Sequence, residues 1–81
     1  MKTHILPIFT ETQKRNAMDA SPGSIVAAEC FGAHSRYCAK LIGSGLGLLP
    51  RICIFDADKA DRHGYPAQVA RLPMDATHWR P

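Results

Sequence analysis

Ser24-Ile25-Val26-Ala27-Ala28-Glu29-Cys30-Phe31-Gly32-Ala33-His34-Ser35-Arg36-Tyr37-Cys38-Ala39-Lys40-Leu41-Ile42 is the stretch on which the fold turns. Two readings compete. As one helix, Val26, Cys30, Ala33/His34, Tyr37, Cys38 and Leu41 recur at spacings of three and four. As separate elements, Ser24 to Ala28 is a strand ending at Glu29, Gly32 lies in a turn, and Ala33 to Ile42 form a helix. Gly32 inside a continuous helix would cost roughly 1 kcal/mol relative to Ala. The β-branched pair Ile25-Val26 follows a turn, so strand, turn, helix is preferred.

Working outward, Gly43-Ser44-Gly45-Leu46-Gly47 reads as the stop of that helix. Ile52-Cys53-Ile54-Phe55 is a nearly continuous apolar run, the pattern of a parallel strand covered on both faces, and Asp56 ends it. Strand, helix, strand predicts a right-handed βαβ unit in which residues 25–28 pair in parallel with residues 52–55. Residues 58–72 read as a weak second helix, with Pro66 kinking it. The predicted class is α/β with a short parallel sheet. Residues 1–23 form a poorly defined N-terminal segment, 24–72 the folded unit and 73–81 a loose tail. Trp79, almost at the C-terminus, offers little to a core.

The chain has 81 residues, 46% apolar, with a formal charge of +3. That length suits one domain, which buries roughly 60–65% of the surface its unfolded chain exposes. The basic residues are scattered, so charge alone does not establish a nucleic-acid partner. Three cysteines, Cys30, Cys38 and Cys53, form an odd set. With no secretory leader evident, they predict free thiols in a cytoplasmic protein. No apolar run approaches the ~18 residues of a membrane span.

Both candidate strands end in an acid: Glu29 after the first, Asp56 after the second, with Asp58 and Asp61 close behind. Ligands of open α/β sheets collect beyond the carboxyl ends of strands. Carboxylates converging there would hold magnesium, the ion suited to phosphoryl transfer on nucleic acid. Plain turn and cap roles for these acids are the simpler alternative. Arg36 and Lys40, four apart, could touch a phosphate backbone or simply be solvated. Cys30, His34 and Cys38 would line one stripe of a long helix, but zinc needs a fourth ligand from elsewhere.

The order of these pieces resembles the N-terminal domain of DEDD-type transposases, the insertion-sequence-110 family related to Piv-type invertases. The resemblance rests on Ile25 to Leu41, on Leu48-Leu49-Pro50, on Lys59-Ala60-Asp61-Arg62-His63-Gly64 and on Arg71-Leu72-Pro73-Met74. It implies a partial RuvC-like domain with an RNase H fold and a magnesium site. Glu29 and Asp61 would be its catalytic and metal-binding acids, and Asp56 and Asp58 a second choice. DNA and a structured guide RNA would be the partners, with Arg36, Lys40, Lys59 and Arg62 as nucleic-acid contacts. Oligomers would form through parts of the family's protein outside this stretch. Gly64 stands where the family's second Asp of the pair belongs, and residues 1–23 hold no equivalent of its first Asp. The implied product is a truncated transposase fragment that is inactive alone. Ile52 to Ala60 also resembles the Asp-x-Asp strand end of Toprim domains. A small binding or regulatory protein without a metal site is the third expectation. The three differ in which acids meet: Glu29 with Asp61, Glu29 with Asp56 and Asp58, or none.

Overall fold

The computed structural model describes residues 2–45 and 48–81. Its elements are β1 (His4–Ile5), α1 (Glu11–Asp19), β2 (Ile25–Cys30), β3 (Tyr37–Ile42), β4 (Arg51–Ala60), β5 (Pro66–Pro73) and β6 (His78–Trp79). Strands β2-β3-β4-β5 make one sheet in sequence order, and β1 pairs with β6. Every pairing is antiparallel.

The predicted α/β class is therefore corrected: there is no βαβ unit, no parallel sheet and no RuvC-like or RNase H arrangement among the described residues. Residues 25–28 lie in a strand as expected, but that strand runs on to Cys30 and its neighbour is β3, not residues 52–55. Residues 37–42 form a strand because their alternation wins. Tyr37, Ala39 and Leu41 point to the core, and Cys38, Lys40 and Ile42 point away. Opposite them on the inner face stand Asp56, Ile54 and Ile52. Ala39, Leu41 and Ile54 are fully buried there. A helix would have spread these side chains around a cylinder and left the inner faces of β2 and β4 without a partner.

Residues 58–72 are not a helix either. They are the end of β4, a turn, and β5. Pro66 and Pro73 bound β5, which is an edge strand, where a residue without an N–H is tolerated.

The sheet's inner face is covered by α1 and by the β1–β6 pair. Ala17 of α1, Leu6, Phe9 and Trp79 complete the core. Trp79, expected in a loose tail, is buried against Tyr37 at a ring separation of 4.8 Å and against Phe31 at 6.0 Å. Residues 1–23 contribute β1 and α1. The helix begins at Thr10, whose hydroxyl accepts from the Gln13 amide while the Gln13 side chain accepts from the Thr10 N–H, satisfying two otherwise unpaired donors.

Gly43 is a point of close approach, not a helix stop. A Cβ there would lie 2.8 Å from Ala20 Cβ, the Ser21 carbonyl and Ser24 Oγ. Its amide donates to Ser24 and its carbonyl accepts from Gly23, which ties the exit of β3 to the start of β2. Leu46 and Gly47, the rest of the expected stop, lie outside the described residues. No helix among the described residues is long and apolar enough to cross a membrane.

Candidate functional site

The antiparallel register separates Glu29 from Asp61, the pair of acids that the sequence offered first as a metal site. Glu29 lies on edge strand β2 opposite Ala39, and Ala39 lies opposite Ile54. Asp61 follows Ile54 by seven residues, roughly 20 Å at the ~3.3 Å rise of a strand. One hydrated magnesium cannot span that, because its ligand oxygens must sit ~2.1 Å from the ion. Asp61 instead organises the turn between β4 and β5: its Oδ1 accepts from the amides of His63 at 2.8 Å and Tyr65 at 3.0 Å. No group of three or more His, Cys, Asp or Glu side chains suited to a metal occurs among the described residues. His34 sits at the β2–β3 hairpin tip with a left-handed backbone, φ 63°.

Asp56 is buried, at 1% exposure. Arg36 grips it with both arms of its guanidinium, Nε to Oδ1 at 2.9 Å and Nη2 to Oδ2 at 2.7 Å. The Asp58 amide adds a third donor at 2.9 Å, and the exposed Asp58 carboxylate stands 3.4 Å from Arg36 Nε. Hydrogen bonding to Arg36 holds the Asp56 carboxyl below its ordinary range, with burial opposing and the Asp58 amide assisting. Hydrogen bonding to Asp56 in turn raises the Arg36 guanidinium. Asp56 is thus paired within the fold, with hydrogen-bond donors on both of its oxygens.

The remaining predicted nucleic-acid contacts separate. Arg36 is committed to Asp56, while Lys59 and Arg62 are exposed at the far end of β4 and in the following turn. Lys40 points outward from β3, with Nζ 4.4 Å from the centre of the Phe55 ring. On the same face lie two arginines that sequence reasoning passed over. Arg51 and Arg71 share the outer face with Lys40 through the pairings Ile42–Arg51, Lys40–Cys53 and Cys53–Arg71. Alternation in Arg51-Ile52-Cys53-Ile54 and in Ala70-Arg71-Leu72 was the signal that would have placed them together.

No helix or strand among the described residues packs on this outer face. The face holds a concavity of 540 Å³ floored by Cys53 and Phe55 and rimmed by Ile25, Ile42, Arg51 and Arg71. No acidic residue lines it among the described residues, and neither arginine has a carboxylate partner there. Cys53 is nearly covered, and burial pushes its thiol up against the opposing pull of Arg71 and Arg51. Apolar walls with unpaired guanidinium groups suit a ligand that is flat or apolar in its body and anionic at its edge.

Compared with protein-family models, curated proteins and solved structures, the chain matches none.

Proposed function

We propose that this chain is a small, non-catalytic binding protein whose outer sheet face takes single-stranded nucleic acid. The observation that carries the reading is the placement of Lys40, Arg51 and Arg71 with Phe55 on one sheet face, beside a concavity lined by no acidic residue among the described ones. Proteins that hold single strands combine a basic track for phosphates with aromatic surface for bases. The net charge of +3 adds a mild long-range attraction. A nucleic-acid partner is also what the transposase resemblance implies, but the support here is the charge of the face. Catalysis is not part of the proposal, because Glu29 and Asp61 lie apart and Asp56 is bound to Arg36. A cytoplasmic setting fits three free thiols.

The test is fluorescence anisotropy with a labelled single-stranded oligonucleotide. Three phosphate contacts give a log–log salt slope of about −2, hence a loss of roughly tenfold to twentyfold between about 50 and about 200 mM salt. Replacing Arg51 or Arg71 by Ala should weaken binding and flatten that slope, whereas Arg62→Ala and Arg15→Ala should not. Equal losses at all four positions, or no binding at about 50 mM salt, would overturn the reading.

A further inference from the structure

Cys30 and Cys38 are direct cross-strand partners in the β2–β3 hairpin. The next pair toward the tip, Phe31 and Tyr37, is hydrogen-bonded through the Phe31 amide and the Tyr37 carbonyl. Bonded and non-bonded pairs alternate along an antiparallel ladder, so Cys30 and Cys38 form a non-bonded pair, whose side chains stand closest. Their sulfurs are 2.7 Å apart. The Cα spacing of such a pair, ~4.5–5.5 Å, falls inside the range that a disulfide spans.

Exposure divides their roles. Cys30 is exposed and Cys38 half-buried. The hydrogen bond with Cys30, followed by burial, pushes the Cys38 thiol up. The third thiol is out of reach. Cys53 lies opposite Lys40 rather than Cys38, and such diagonal neighbours stand ~7–8 Å apart, beyond bridging distance.

We propose that Cys30 and Cys38 are a redox-modifiable dithiol that closes reversibly into a cross-strand disulfide, with a small-molecule disulfide such as oxidised glutathione as the oxidant. In the first step the Cys30 thiolate attacks one sulfur of the oxidant. A mixed disulfide forms, and the other half leaves as a thiolate that takes up a proton. Cys38 then gives its proton to water and attacks Cys30 Sγ. The Cys30–Cys38 bond forms and the second small thiolate leaves. Overall, two protein thiols lose two electrons and two protons, and the oxidant gains them as two small thiols. A cytosolic thiol pool reverses the reaction by the same steps.

The full chain is equilibrated with mixtures of reduced and oxidised glutathione, quenched by alkylation and mapped by peptide mass spectrometry. The folded chain should yield a linked Cys30–Cys38 peptide pair with Cys53 alkylated. Because the fold holds the sulfurs together, half-oxidation should need about a tenth or less of the oxidised glutathione required in concentrated guanidinium chloride. In Cys38→Ser the glutathione adduct should be trapped on Cys30, at about tenfold or more the level seen in the parent chain. The same oxidant requirement folded and unfolded, a link to Cys53, or persistent single adducts on the parent chain would overturn the proposal. The parent and Cys53→Ser chains give these readouts even if Cys38→Ser fails to fold.

Discussion

Arg36 and Asp56, twenty residues apart in sequence, meet in a two-pronged ion pair that joins the tip of the β2–β3 hairpin to the middle of β4. The Arg36 carbonyl also accepts from the Ala57 amide at 2.8 Å, so main chain and side chain are held together. Removing Arg36 leaves a buried carboxylate without its cation, which costs more than removing both charges. Arg36→Ala should therefore lower the melting temperature more than the double change Arg36→Ala with Asp56→Asn. Paired thermal melts of the two variants at neutral pH check this.

The same pair sets an acid limit. The folded-state pKa of Asp56 lies below its unfolded value. Its stabilising contribution is thus present above the ordinary carboxylate range, near pH 3.9, and is lost as pH falls through the depressed folded value. Denaturant midpoints should be level from about pH 7 to about pH 5 and then decline. In Asp56→Asn the decline should be shallower. Identical acid limbs would mean that Asp56 is not the titrating group.

Gly64 closes the β4–β5 turn with φ 83°. A side chain there meets the steric cost of the left-handed region, roughly 1–2 kcal/mol. Gly64→Asp should therefore destabilise the chain by about 1 kcal/mol and leave magnesium affinity unchanged, since Asp61 already serves the amides of the turn. Calorimetric titration of magnesium into both chains, with melts alongside, checks both halves.

At Gly43 the obstacle is contact, not backbone angle. Gly43→Ala forces a methyl against Ala20, Ser21 and Ser24, an overpacking that costs about 1–3 kcal/mol. Urea denaturation should show a lower midpoint with little change in slope.

Truncating Trp79 removes a buried aromatic that touches His4, Phe31 and Tyr37. Loss of such a side chain costs about 3–5 kcal/mol, much of the ~5 kcal/mol at the low end of domain stability. Trp79→Ala should be largely unfolded at about 37 °C by far-ultraviolet circular dichroism.

The strands Ile25–Cys30 and Arg51–Ala60 were partly legible, because Ile25-Val26 and Ile52-Cys53-Ile54-Phe55 are β-rich runs beside turn formers. β3 was not. Cys30 and Cys38 are eight apart, which is close to two helical turns, yet that separation also places partners face to face across a hairpin. The spacing that suggested one helical stripe was the signature of two strands folded onto each other. Helix α1 was missed inside a polar stretch, although Thr10-Glu11-Thr12-Gln13 carries the capping-box pattern. Asp56 stood out as an acid at a strand end, but its partner Arg36 depended on register between β3 and β4. A one-residue slip in register would turn Lys40, Arg51 and Arg71 to the opposite face. Their gathering was therefore invisible until the pairing was known.

The pairing of His4 with Trp79 also dictates an order of assembly. During synthesis the strands β2 to β5 leave the ribosome one after another, each beside its predecessor, so the sheet can zip up as it emerges. Strand β1 is made before β2 to β5 but has no partner until residues 78–79 have left the ribosome. Throughout that interval the nascent sheet exposes the inner side chains that Trp79 later covers. Chaperone capture and premature proteolysis should concentrate in this window, and a ribosome stalled before residue 78 should carry a chain that binds a hydrophobic dye, while one stalled with Trp79 outside the tunnel should not.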